Sequence, residues 1–405
     1  MKTKYIVFLY LIVFASLSCK KKGEINEPVN NDPIVPAQVS NVTVVNGNGK
    51  ATLTYSVPND PHLLYVKAVY NATSGQQFET KASYYNNSLV VEGFADTSVH
   101  QVKLYSVSRS SVESAPIIVK IKPLVSPLWL TYKSLKIDNA FGGYNLTAVN
   151  PDRSDITIIV TKKNVFNEYE IDNNKSVYSR ADSILSKIRG LDTTSQRYGF
   201  LVKDRWGNKT DTIYMTVKPF YETELPRTLF SEFNLPGDAP QWNNGETSVR
   251  GMWDGRLGWP GVSFTSQIPG GANPHMITFN SGGLSRISRI HIRPYPEYNS
   301  VTQLNRFYYL TTMKRFEIYG SANPSLSGAL DNSWYLLGSY VINKPSGLPY
   351  GTDDATDIAT ASAGFNLDAD LKAPKVRYIR IRCLENFGGG TAQSISEIGV
   401  YGDNR

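Results

Sequence analysis

Cysteine and histidine are scarce in this 405-residue sequence, which has two cysteines, Cys19 and Cys383, and four histidines. Two cysteines build no disulfide framework, and His62 and His100 stand apart from any cluster of titratable residues. Catalytic signatures are missing as well. There is no Gly-x-Ser-x-Gly elbow and no His-Glu-x-x-His, and Gly388-Gly389-Gly390 lacks the Lys-Ser/Thr of a phosphate-binding loop. Acidic residues fall singly apart from Asp353-Asp354, which reads as a solvated loop pair, whereas glycoside hydrolysis needs two carboxyls across one cleft. The chain is therefore expected not to be an enzyme. Charged residues make up only 19% of it, and the net charge of +7 is scattered, so nucleic acid is not an expected partner.

What is present begins with an export pattern. Lys2 and Lys4 precede the apolar run Tyr5 to Phe14, and Ala15-Ser16-Leu17-Ser18 leads into Cys19, so residues 1–18 read as a leader. The run is too short for a comfortable membrane span. Cys19 is then the lipid-modified first residue of a lipoprotein, and the lipid anchor is the expected membrane contact. Residues 19–36, with Lys20-Lys21-Lys22 followed by Asn, Pro and acidic residues, read as a flexible tether. Cys383, left without a partner, is expected to be a small core residue.

The rest reads as all-β: three consecutive β-sandwich domains over 37–122, 123–222 and 223–405. Period-two alternation marks the strands. In the first domain, Val42 and Val44 alternate ahead of a turn at Asn46-Gly47-Asn48-Gly49, and Ala51 to Val57 returns; further strands lie at Leu64 to Tyr70, Ser88 to Val91 and Gln101 to Val107. In the second, strands are expected at Asp155 to Val160, Tyr198 to Val202 and Thr212 to Val217, with a turn at Asp204 to Asn208 and a short helix over Ala181 to Ile188. In the third, Ser288 to Arg293, Lys314 to Tyr319 and Arg377 to Cys383 alternate, and no amphipathic helix of comparable length is visible.

Five pieces of the third domain occur in a telling order: Trp253-Asp254-Gly255, Lys314 to Ser321, Ser333 to Leu337, Arg377 to Ile381, and Ser396 to Gly402. In that order they resemble the discoidin, or coagulation factor 5/8 type C, jelly roll, a fold shared with galactose-binding-like domains and family 32 carbohydrate-binding modules. The first domain resembles a fibronectin type III sandwich. The whole arrangement is similar to Bacteroidetes glycan-utilisation lipoproteins that combine the domains of unknown function 4959, 5126 and 5000. That resemblance implies polysaccharide or oligosaccharide capture at the outer membrane, displayed on the surface and working with glycan-transporter components. Lys20-Lys21-Lys22 departs from the acidic residues that such surface lipoproteins carry after the lipidated cysteine. The alternative is an adhesin or docking subunit that binds a protein partner through the third domain.

A sugar site needs an aromatic face and side chains that satisfy several hydroxyls. Three loops carry that stock: Asp238 to Asn244 with Trp242, Arg293 to Asn299 with Tyr295, and Glu385 to Gly390 with Phe387. All three are expected at one end of the sandwich, although a loop aromatic also commonly caps a core. The family 32 resemblance implies sugar contacts at His291, Arg293, Asn386 and Phe387, with Trp242 and Tyr295 as further candidates. It also implies a structural Ca2+ held by Asp254 and Glu397. Arg256-Leu257-Gly258-Trp259 stands where further oxygen ligands would be expected. The competing reading is that Asp254 closes a tight turn and Glu397 pairs with an arginine.

Overall fold

The computed structural model describes residues 33–242, 245–265, 274–300 and 303–405. Cys19, the leader, most of the tether, Asn243 and Asn244 lie outside the described residues. Those described divide into two compact units, one containing the chain up to Leu135 with Thr147–Ile184 and Gly199–Ile213, the other Lys136–Leu146, Leu185–Tyr198 and Tyr214–Arg405. The protein is all-β in both. Among the described residues no helix is long and apolar enough to cross a membrane.

In the first unit, strands Ser40–Gly47, Lys50–Ser56 and Ser88–Glu92 form one antiparallel sheet. Gln77–Ser83, Leu63–Asn71, His100–Ser108 and Ile117–Ile121 form another. Alternate residues from both, among them Leu53, Val91, Val66 and Leu104, share one core, which makes a sandwich. Gly47 pairs with Lys50, so Asn48-Gly49 is the hairpin loop, and Gly49 takes the positive φ of +63° that the turn requires. Further along, Ile156–Lys163 pairs with Tyr169–Ile171 and Val177–Ser179. The Asp204–Asn208 turn closes as expected, the Asp204 carboxylate accepting from the Trp206 and Asn208 amides. A helix at Pro127–Ser134, entered through Ser126 with proline in its first turn, was not foreseen from the sequence.

The expected helix over Ala181 to Ile188 is instead the strand Ser183–Ile188, beside Gly143–Val149. Ile184 is buried between exposed neighbours, and that period-two burial outweighs helix propensity.

The second unit is built on one 18-residue strand, Met276–Arg293. Its first half pairs with Val376–Asn386, and its second half with Glu397–Asp403 and Phe365–Asp368. Between the halves lies an irregular step at Ser281 to Leu284, where Gly282 has φ +97°. Ile277 and Phe279 from one half, and Ile290 and Ile292 from the other, meet in a single core with Phe316, Ile381, Ile398 and Val400. Cys383 lies fully buried in this core, and burial pushes its thiol up to about 12. A helix, Ala355–Ala363, is also present, closed at its start by a reciprocal capping box between Asp354 and Asp357. The neighbouring Asp353 is not a solvated loop acid: its side chain is buried 2.9 Å from Lys344 Nζ, and its other oxygen accepts from the Phe307 amide.

Candidate functional site

The outer face of the Met276–Arg293 strand carries Arg289, His291 and Arg293 at alternate positions, opposite Tyr401, Gly399 and Glu397. Their intervening partners, Ile290 and Ile292, face the core. Arg289 lies 3.5 Å over the Tyr401 ring and donates to Asn366 Oδ1 at 2.6 Å. His291 Nε2 donates to the Ala363 carbonyl at 2.9 Å. Burial first, and then the charges of Arg293, Arg289 and Arg227, hold its pKa below the ordinary histidine value despite that bond, so the ring is neutral and Nδ1 is an acceptor. Arg293 is half-buried, and its guanidinium has no hydrogen-bond or ion-pair partner among the described residues.

Its natural cross-strand partner is Glu397, but both oxygens of that carboxylate are engaged elsewhere. Oε1 accepts from the Gly255 amide at 2.7 Å, and Oε2 is bound by Arg227. Burial raises the Glu397 pKa, an effect that Arg227 and the Gly255 amide oppose. Above this row is a cleft of about 290 Å3. Arg293, His291, Glu397 and Tyr401 line it from the sheet, Gly255 and Leu257 from the loop, and Arg227 completes it. A Cβ at Gly399 would stand 3.0 Å from the Tyr401 ring, 3.4 Å from Glu224 Oε1 and 3.6 Å from Arg227 Nη2, so glycine there lets these side chains close over the strand.

Trp259, two residues beyond Leu257, belongs to an aromatic cluster. Trp242, Trp259 and Tyr295 each meet Phe264 edge-on, at 6.1, 6.3 and 5.9 Å between ring centres. Trp242 and Trp259 remain 39% and 42% exposed, so each offers a free face, and Trp259 Nε1 is fixed by Glu246 at 2.5 Å.

Three domain families match the chain in succession. Residues 36–123 match a domain of unknown function (DUF4959), 124–228 a second (DUF5126), and 253–402 a third (DUF5000). The chain carries these three domains. No curated protein matches it. Among solved structures it is similar to a SusE-like protein at 23% identity, over 68% of this chain and 98% of that one, with a TM-score of 0.43. It is also similar to the C-terminal domain of a chitobiase from Bacteroides fragilis (15% identity, 44% and 96% covered, TM-score 0.30) and to a GH31 CBM32 module bound to GalNAc (17%, 42% and 94%, TM-score 0.26).

Apart from Arg227, the cleft belongs to the DUF5000 segment, as does most of the aromatic cluster, Trp242 joining from just before it. Of the residues singled out from sequence, Trp242 and Tyr295 gather around Phe264, and His291 and Arg293 share the cleft. Asn386 and Phe387 do not join them. Asn386 is buried and holds its own loop, its amide donating to Ala392 O and accepting from the Gly390 amide, both at 2.8 Å. Phe387 packs edge-on against Tyr308, 5.3 Å away, as a cap on the core. Asp254 and Glu397, the expected calcium ligands, are each engaged by a guanidinium. Asp254 is clamped by Arg256, with Oδ2 2.6 Å from Nη2, and it also closes the turn through the Arg256 amide. With Glu397 taken by Arg227, which comes from the DUF5126 segment, both carboxylates face a guanidinium. No group of three or more His, Cys, Asp or Glu suited to a metal stands together among the described residues. Sequence reasoning missed Trp259, Arg227 and Gly399. A tryptophan between Gly258 and Pro260 was the available signal for the first; the other two matter only through cross-strand register.

Proposed function

We propose that the chain captures glycan without cleaving it, through the surface of its DUF5000 domain that joins the aromatic cluster to the Arg293 cleft. The observation that carries this reading is the placement of Trp242 and Trp259, rigid and part-exposed on Phe264, beside a concave pocket offering an arginine donor and a neutral histidine acceptor. Apolar faces stack on sugar C–H groups while such polar groups satisfy hydroxyls. The export pattern ending at Cys19 supports a lipid anchor in the outer membrane, and a role in supplying a glycan-uptake system follows from that setting.

The test is retention of the full chain on immobilised plant, algal and host polysaccharides. Trp242→Ala and Trp259→Ala are each expected to weaken binding by about 0.5–1.5 kcal/mol, or about 2- to 10-fold, with folding unchanged. Unchanged affinity in both removes the platform. A docking role has its own observation in Val165 and Phe166, 93% and 80% exposed in the loop between Ile156–Lys163 and Tyr169–Ile171. Its signature is a protein partner lost on Phe166→Ser while glycan retention is unaffected.

A further inference from the structure

We propose that the glycan bound here is acidic, and that the cleft between Leu257 and Tyr401 receives a uronic acid carboxylate on Arg293. This rests on the glycan-binding reading and adds the class of sugar. Three basic side chains form a row on one strand, yet only one is left unsatisfied. Arg289 is taken by the Tyr401 ring and Asn366, and His291 by the Ala363 carbonyl. Arg293 faces Glu397 across the ladder, where an ion pair is the ordinary outcome, but Arg227 and the Gly255 amide occupy that carboxylate. A guanidinium without a protein partner in a cleft has all its donors available to a ligand. Its planar fork matches a carboxylate bidentately, which a neutral hydroxyl cannot do.

The surroundings suit a sugar acid. His291 Nδ1 is an acceptor for a ring hydroxyl, and Leu257 gives the cleft an apolar lip. A volume of about 290 Å3 is near the lower end of small-molecule sites, so one residue of a chain enters while its neighbours extend toward Trp259. Glycine at position 399 lets Tyr401 and Arg227, two of the side chains that line the cleft, lie close over the strand.

The experiment measures retention of the full chain on polygalacturonate, alginate and hyaluronate, each beside its carboxyl-reduced counterpart, with dextran sulfate as a plain polyanion. Retention is expected on at least one uronate polymer, at least 10-fold weaker on its reduced form. Arg293→Gln is expected to abolish that difference, and Arg293→Lys, which keeps the charge but loses the planar fork, to reduce it. Both variants should keep the wild-type unfolding midpoint. Trp259→Ala should weaken the acidic and reduced forms alike. If reduced or neutral chains are retained as well as acidic ones, and Arg293→Gln changes nothing, the acidic assignment falls while glycan binding stands. If dextran sulfate competes fully and Arg293→Gln binds the uronates as wild type does, the retention is general surface charge and the assignment falls again. If no polysaccharide is retained, both readings fall together.

Discussion

Replacing Arg227 by methionine tests whether a guanidinium balances the buried carboxylate at Glu397. The side chain of Glu397 is only 8% exposed, so without Arg227 it keeps the Gly255 amide and regains only what cross-strand Arg293 supplies by leaving the cleft. A stranded buried carboxylate does not pay the full desolvation penalty, because it can take up a proton instead. That escape sets a ceiling on the loss. From an ordinary value of 4.5, protonation costs about 3.4 kcal/mol at pH 7 and about 0.7 kcal/mol at pH 5, at 1.36 kcal/mol per pH unit. The second pair made by Arg227, with Glu224, is more exposed and adds little. The sign follows from proton uptake. A carboxyl whose folded-state pKa lies above its unfolded one binds more protons when folded, so the variant loses stability as pH rises from about 4.5 to the new folded value. Urea unfolding of the full chain, followed by tryptophan fluorescence, reads this directly, since Trp242, Trp253, Trp259 and Trp334 all lie in its last part. With a slope of about 2 kcal/mol per molar, the midpoint should drop by about 1–2 M at pH 7 and by much less at pH 5. Equal losses at both pH values would refute the charge argument and leave packing of the arginine stem as the cause. No loss at either would mean that Arg293 turns to Glu397 and replaces Arg227.

Lys344→Met should destabilise the same unit by about 3–5 kcal/mol in thermal unfolding, because Lys344 Nζ lies 2.9 Å from Asp353 and 3.8 Å from Asp357, both buried. Burial alone would raise Asp357, but hydrogen bonds from Ser346 and the Asp354 amide, with the Lys344 charge, hold its carboxyl below the usual range, so the stability it contributes is lost as pH falls below about 3.8 and the gap between variant and wild type should close there. Calcium and chelator should leave both the unfolding midpoint and glycan retention of the wild type unchanged; a chelator-dependent fall in either would reinstate Asp254 and Glu397 as metal ligands.

Period two in the sequence reveals strands well where one face is apolar and the other polar. Ser288 to Arg293, Lys314 to Tyr319 and Arg377 to Cys383 each lie inside a strand of the second unit. The alternation does not reveal that Ser288 to Arg293 is the second half of an 18-residue strand, because Ser281 to Leu284 breaks the period where the chain changes ladder. Ala355–Ala363 escaped notice for a different reason: nine residues, alanine-rich and with little apolar stripe, carry their start signal in Asp354 and Asp357 rather than in periodicity. Within the site, Trp242 and Tyr295 were legible as aromatics in polar loops. Phe387 had the same local appearance and differs only in meeting Tyr308, a partner its neighbours in sequence do not announce.

The same limit governs charge. Arg289, His291 and Arg293 are equivalent in the sequence, three basic residues at alternate positions. What separates them is who arrives from elsewhere: Tyr401 and Asn366 for the first, Ala363 for the second, and for the third a glutamate already claimed by Arg227, 170 residues before it in the chain. Arg227 therefore acts twice. It neutralises a carboxylate that the fold has buried, and by doing so it leaves Arg293 available to a ligand. With Glu397 balanced by Arg227, the charge left over in the cleft is the one on Arg293, matched to one carboxylate.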